Sequence, residues 1–303
     1  MIYLQLTGGL GNQLFQYGFA RAIQKQTKEM ICINTYGFRF DNQRDYSLDA
    51  YELNLNVIVP DEAEGKKQWN KVLFRCRLYH KLGRMHGQKA FLGLTKKGLF
   101  ITFDVYSYYK YCLMADDKYI YGTFQSGKYL KDIREELLRE ITLKNPPEGK
   151  ILEQRRRMEE CESVCVHVRR GDYISNAIDN RTLNICTEQY YDRAMKVISE
   201  RIANPVFYVF SNSKEDVEWI RENYHFPTDR TVYITSENRD YEELWLMSHC
   251  KHFVIANSTF SWWAQYLSTN DKKIVAAPEK WYLGDQDATD IYEDTWIRIP
   301  IEE

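Results

Sequence analysis

Paired cysteines are absent from this 303-residue chain: its seven cysteines are scattered, odd in number and never spaced Cys-x-x-Cys. That excludes a disulfide framework and implies a reducing compartment. Net charge is almost absent as well, at −2, which removes any global case for nucleic acid as a partner. No basic stretch or long apolar run opens the chain, since Met-Ile-Tyr-Leu-Gln-Leu reaches glycine by position 8. The start therefore reads as neither a secretory signal nor a membrane span, and the expected location is the cytoplasm. What is present is a 44% hydrophobic content, enough for two cores because single cores stop growing near ~250–300 residues.

Two nucleotide-binding fingerprints are also missing. Ile2 to Leu6 predicts a strand, Thr7 to Gln13 a tight glycine loop, and Leu14 to Gln26 a helix with Leu14, Phe15, Gly18, Phe19, Ala22 and Ile23 on one face. Strand, glycine loop and helix start make an anion cradle. The third glycine of the dinucleotide motif is missing, and so is the Gly-Lys-Ser/Thr of a P-loop, which disfavours a dinucleotide oxidoreductase. Gly9 and Gly11 allow the backbone to approach a ligand, and Asn12 and Gln13 offer side-chain donors. A plain βα turn fits the same residues.

Acids are missing between Gly65 and Gly98, where ten lysines and arginines stand. Trp69, Val72, Leu73, Cys76 and Tyr79 fall there at helical spacing, so part of the stretch is a basic amphipathic helix. Such a helix suits an anionic membrane surface, an anionic acceptor glycan or simple solvation. Further on, Gln125, Ser126 and Lys128 give the loop after a probable strand its hydrogen-bonding capacity, with Gln125 and Lys128 the candidates for acceptor contact. Residues 131 to 143 show helical spacing, and Asn145-Pro-Pro-Glu-Gly149 ends them as a linker. The expected domains are 1–147 and 148–303.

The second half alternates strands and helices. Val164–Val168, Val206–Phe210, Val232–Thr235 and Phe253–Ala256 read as strands, and 187–202, with Thr187 as N-cap, 241–250 and a stretch ending at Leu267 as helices. The expected fold is α/β with a mostly parallel, Rossmann-like sheet, whose ligand loops follow the strands at 167–173, 211–213 and 257–261. Arg169 and Arg170 are permanently charged donor forks suited to phosphate. Ser258, Thr259 and Ser261 stand at a helix N-terminus, which also favours an anion. Ser211 and Asn212 offer groups for a base or ribose, and His167 adjoins the arginines. A nucleoside diphosphate fits this set. Equally, Arg-Arg-Gly-Asp fits a charged turn in which Asp172 pairs with an arginine. His249-Cys-Lys-His252 and Asp285-Gln-Asp287 resemble metal ligands but read as structural, so no metal is expected.

The segment His167-Val-Arg-Arg-Gly-Asp-Tyr173 resembles the signature of the family 11 glycosyltransferases, the α-1,2-fucosyltransferases. So do Gly8-Gly-Leu-Gly-Asn-Gln-Leu-Phe-Gln-Tyr17, Gly122-Thr-Phe-Gln-Ser-Gly-Lys-Tyr129 and Ala256-Asn-Ser-Thr-Phe-Ser-Trp-Trp263, in that order along nearly the whole chain. The resemblance implies a GT-B-like architecture of two Rossmann-like domains facing a cleft, an N-terminal acceptor side and a C-terminal donor side. It implies GDP-fucose as donor, a galactose-containing oligosaccharide or glycolipid as acceptor, inversion at the anomeric carbon, and no obligatory metal or other cofactor. Arg169 and Arg170 would bind the diphosphate, His167 the nucleoside, the 257–261 loop the phosphates, and Gly9, Gly11 and Asn12 the donor sugar. Arg169, Asn12 and the nearby carboxylate Asp172 are the candidates for catalysis. Many relatives in that family carry an acidic pair after Phe-Ser where this chain has Asn212-Ser213. Another sugar nucleotide or linkage, or a non-catalytic nucleotide- or glycan-binding module, fits the same motifs. Peripheral docking at the inner face of a membrane through the basic 66–97 segment is compatible with a cytoplasmic location.

Overall fold

In a computed structural model of the chain, residues 1–54, 56–81, 87–102, 105–171, 173, 177–235, 238–284 and 287–301 are described. The chain folds as two compact units: Met1–Lys144 with Asp287–Tyr292, and Asn145–Gln286 with Glu293–Glu303.

The first unit holds five parallel strands, β1 (Ile2–Gln5), β2 (Ile31–Asn34), β3 (Val57–Ile58), β4 (Leu99–Ile101) and β5 (Lys118–Tyr121), in the order β3-β2-β1-β5-β4. Register is set by pairs such as Ile2 with Ile31 and Ile2 with Lys118. Ile2, Leu4, Ile31, Ile33 and Ile120 are fully buried, as expected of parallel strands covered on both faces.

Helix α1 (Leu10–Thr27) begins four residues before the predicted Leu14. Gly8 makes the reversal by itself: its φ is +77°, and a Cβ there would lie 2.7 Å from Asn12 Nδ2. The amides of Asn12 and Gln13 already bond the Gly9 carbonyl at 2.9 and 3.1 Å. Gly11 and Asn12 therefore occupy the first helical turn, not the expected loop. Gln13, offered by the sequence as a ligand donor, is fully buried; its amide donates to the carbonyls of Gly8 (2.9 Å) and Asp45 (2.7 Å). Helices α2 (Glu62–Lys81) and α3 (Gln88–Thr95) carry most of the basic segment, and residues 82–86 lie outside the described ones. The helix expected over 131–143 is a 3-10 turn, Lys131–Ile133, followed by the short α4 (Arg134–Glu140).

The second unit holds β6 (Glu162–His167), β7 (Pro205–Phe210), β8 (Thr231–Tyr233), β9 (His252–Val254), β10 (Val275–Pro278) and β11 (Ile297–Ile299). Their order is β8-β7-β6-β9-β10-β11, all parallel. This is the doubly wound order, with the direction of winding reversing between β6 and β9. Around the sheet run α5 (Lys150–Glu159), α6 (Ala177–Thr182), α7 (Glu188–Ser199), α8 (Lys214–Asn223), α9 (Asp240–Ser248) and α10 (Thr259–Leu267). Thr187 stands at the N-cap position of α7, yet its hydroxyl bonds Gln189 Oε1 at 3.0 Å and makes no capping bond. The core joins Val164, Val166, Phe207 and Val209 of the strands to Tyr190, Tyr191 and Ile198 of α7. Among the described residues no helix is long and apolar enough to cross a membrane.

Candidate active site

Strand β6 ends at His167, whose buried run Val164-Cys-Val166 delivers the imidazole to the point where winding reverses. His167 is 2% exposed, its carbonyl accepts the Tyr191 hydroxyl at 3.1 Å, and its Nδ1 is buried with no hydrogen-bond partner. Burial, reinforced by the Arg169 guanidinium, holds its pKa down at about 3, so the ring is neutral at neutral pH. A neutral imidazole carries one donor and one acceptor, and buried polar atoms are normally satisfied. The buried Nδ1 of His167 is an exception to that rule.

The two arginines that follow have different surroundings. The Arg169 guanidinium lies 5.4 Å from the centre of the Tyr173 ring, and the Tyr173 hydroxyl donates to the Asn257 carbonyl at 2.9 Å. Tyr173 thus ties the turn after β6 to the turn after β9. Arg170 lies 3.4 Å above the Trp219 ring, its Nε is 3.2 Å from Asp216 Oδ1, and its backbone amide donates to Asn212 Oδ1 at 3.0 Å. Helix α8 therefore anchors Arg170. Asp172 lies outside the described residues.

A pocket of about 320 Å³ opens beside these groups, between residues 211–215 at the start of α8, Ile234, Asn238 and Glu243. Ser211 donates to the Val168 carbonyl at 2.7 Å, so it braces the turn from the pocket wall. Glu243, on α9, was not singled out in the sequence, where it is one acid among several at a helix start. Burial of its carboxyl raises its pKa to about 8, against the opposing pull of Arg169 and with a further push from Asp240. A carboxyl that stays protonated near neutrality donates as well as accepts.

At α10, Ser258 is the N-cap and accepts from the Phe260 amide at 3.3 Å, and Thr259 begins the helix half-buried. Ser261 is fully buried and donates to the carbonyls of Ala256 and Ser258, both at 3.2 Å. Its hydroxyl shapes the turn. Asn257 donates to the carbonyls of Leu183 (2.9 Å) and Trp281 (3.0 Å). The dipole of the α10 N-terminus still favours an anion.

In the first unit, Asn12 Oδ1 accepts from Gln125 Nε2 at 2.9 Å, so the first turn of α1 meets the turn after β5 where that sheet's winding reverses. Gln125 is presented by Phe124, a non-glycine residue at φ +49° whose ring stacks on Phe19 at 4.0 Å. Such strain persists where packing over-determines it, commonly at ligand-binding turns. Lys128 is half of an ion pair with Asp290 at 2.5 Å, and Asp290 also accepts from the Tyr108 amide at 2.7 Å. The backbone of Asp290 takes the Ser126 hydroxyl at 2.7 Å. The sequence held no signal for Asp290.

Among the described residues no three His, Cys, Asp or Glu side chains gather as metal ligands. His249 Nδ1 bonds the Trp245 carbonyl at 2.7 Å, and His252 Nδ1 accepts from the Ile274 amide at 3.0 Å. Asp285 and Gln286 lie outside the described residues, and Asp287 accepts the Thr289 amide at 2.8 Å.

Two parallel sheets, one doubly wound with a basic turn and a helix N-terminus at its reversal, define an α/β protein of GT-B-like architecture. The solved α-1,6-fucosyltransferase NodZ of Bradyrhizobium shares that fold, with a TM-score of 0.50 at 14% identity over 88% of this chain and 91% of NodZ. The family description "Glycosyl transferase family 11" matches residues 102–300, and the chain belongs to that family of glycosyltransferases. An α-1,2-colitosyltransferase of Escherichia coli is 30% identical, covering 99% of both chains. The O-antigen biosynthesis glycosyltransferase WbnK of the same species is 27% identical over 98% of this chain and 100% of WbnK. Galactoside α-(1,2)-fucosyltransferase 2 of Rattus norvegicus is 28% identical over 46% of this chain and 40% of its own length.

Proposed function

We propose that the chain transfers L-fucose from GDP-β-L-fucose to the 2-hydroxyl of a galactoside in a glycan, releasing GDP with inversion at the anomeric carbon. The observation that carries this reading is the orphaned His167 Nδ1 beside Arg169 at the reversal of the second sheet, with a pocket alongside. Guanine takes the pocket: the neutral Glu243 carboxyl complements the adjacent oxygen acceptor and N–H donor on its edge. His167 satisfies its ring nitrogen on the nucleoside, and Arg169 with the α10 N-terminus takes the diphosphate. Arg170 supports them as a positioning residue, held by Asp216 and Trp219.

In the transition state the bond from the anomeric carbon to the diphosphate oxygen lengthens and negative charge grows on GDP. A guanidinium already in place stabilises that charge more than the ground state, which is what accelerates the reaction. Asp172 is the proposed base for the acceptor proton. Asn12 and its neighbour Gly9, together with Gln125, serve the donor sugar and acceptor.

The test is GDP release from GDP-fucose with lactose or N-acetyllactosamine, EDTA present. Release that depends on acceptor and falls by about 10²-fold or more in Arg169→Ala is the expected outcome. Release indifferent to that substitution, or GDP binding without turnover on any donor and acceptor, overturns it.

A second donor is favoured by one finding, the full-length likeness to a colitosyltransferase. Colitose lacks the 3-hydroxyl of fucose. A site that hydrogen-bonds that hydroxyl rejects the deoxy sugar by about 10⁴-fold in kcat/KM, whereas an apolar site discriminates little. Paired assays with the two GDP-sugars decide the donor.

A further inference from the structure

Helix α2 divides sharply into two faces. Gln68, Val72 and Cys76 are buried at 4%, 1% and 6% exposure, at the i, i+4 spacing of one stripe. Lys66, Lys67, Phe74, Arg77 and Leu78 are exposed on the other side. Phe74 is 68% and Leu78 48% exposed, one turn apart. An isolated exposed apolar residue needs no explanation. Two stacked on one face, within a run of six cations from Lys66 to Lys81 that contains no acid, are a different matter.

The charges sort in the same way. The acids of α2 are confined to its first turn, where Glu62 pairs with Arg39 at 2.6 Å and Glu64 with Lys67 at 3.2 Å. Lys71 Nζ and the Arg75 guanidinium lie 4.5 and 4.6 Å from the centre of the Tyr119 ring, which fixes the inner edge of the helix. Lys66 and Arg77 point outward from it with Phe74 and Leu78.

We propose that this outer face of α2 docks the first unit on an anionic lipid bilayer. Phe74 and Leu78 enter the boundary between headgroups and acyl chains, while Lys66, Lys67 and Arg77 meet the anionic headgroups. Charge selects the occupant. A second copy of so cationic a face would be repelled, and a purely polyanionic partner gives the two apolar side chains nothing to bury against. The bilayer surface satisfies both. The inference holds whichever sugar nucleotide the enzyme uses, because its test does not involve turnover.

The experiment is co-sedimentation of the full chain with vesicles of phosphatidylcholine plus phosphatidylglycerol, and of phosphatidylcholine alone. Binding to the anionic vesicles at low salt that fades at high salt is expected, with none to neutral vesicles. Phe74→Ser with Leu78→Ser lowers the partition about tenfold or more. Lys66→Glu and Arg77→Glu each lower it about fivefold or more. All four positions are solvent-exposed, so circular dichroism and thermal unfolding stay as in the wild type, and the charge variants test the proposal if the apolar pair folds poorly. Absence of binding at low salt overturns the proposal, as does equal binding by wild type and variants. A dimer that Phe74→Ser dissociates while vesicles stay bare also overturns it, assigning the face to a second copy.

Discussion

His167 and Glu243 are shifted in opposite senses within reach of the same guanidinium, and both shifts favour the neutral form. For His167 the consequence for stability has a definite sign. Its folded pKa, about 3, is depressed from the ordinary 6.5 by burial and then by Arg169. Between those values the unfolded chain binds a proton that the folded chain refuses. The contribution is complete above about pH 6.5 and is lost as pH falls, at about 1.4 kcal/mol per pH unit. Denaturant unfolding of wild type and His167→Asn at about pH 7 and pH 5 is expected to show a shallower acid loss in the variant. Equal losses would mean that the imidazole is hydrated in the folded protein. Near neutrality the same neutral ring offers a nucleoside one donor and one acceptor, which a charged one would not.

At the scale of elements, the turn after β6 depends on residues from α8 more than on its own sequence. Gly171 sits at φ +32°, in the left-handed region, and a Cβ there would lie 2.9 Å from Asn212 Cγ. Its amide points to Asp216 Oδ2 at 3.4 Å, and Arg170 leans on Asp216 and Trp219. Gly171→Ala is expected to cost about 1–3 kcal/mol of stability and to weaken GDP binding, because strain and the displaced Asn212 both move the amide of Arg170. Calorimetric GDP titration checks this, and unchanged affinity in the variant would detach the turn from the nucleotide. The arginines and His167 were legible because a buried β-branched run ending in charge is a local pattern. Asp216 and Trp219 were not, since nothing in an acidic helix start says which acid turns back toward a strand end 46 residues earlier. The glycine run before α1 misled for a related reason. Gly11 is a poor helix former, yet it is buried within the first turn, where packing overrides propensity. Strands β10 and β11 gave no expectation at all: Val275-Ala-Ala-Pro278 and Ile297-Arg-Ile299 are too short to show a period, and β10 owes its place to β9 as β11 does to β10.

At the scale of the molecule, the late segment Asp287–Tyr292 belongs to the first unit, so that unit is not a contiguous stretch of chain. Ile291 is fully buried there, and Asp290 holds the Tyr108 amide, the Ser126 hydroxyl and Lys128 together. Lys128 to Asp290 spans 162 residues, so the sequence around Lys128 suggests an acceptor contact and carries no sign of the ion pair. The two roles are compatible if Asp290 sets the position from which Lys128 and Gln125 meet the acceptor. Asp290→Ala removes an exposed ion pair of small worth, but it also strips the Tyr108 amide of its partner, for a loss of about 1–3 kcal/mol. Because all of these partners lie in the first unit, the substitution is expected to raise the acceptor KM several-fold while the Kd for GDP stays unchanged. Lys128→Ala, which leaves the Tyr108 bond intact, separates the two effects: an equal rise in acceptor KM assigns it to the lysine, a smaller one to the strap. Should the GDP affinity fall in step with the acceptor KM, the assignment of acceptor to the first unit and nucleotide to the second would fail.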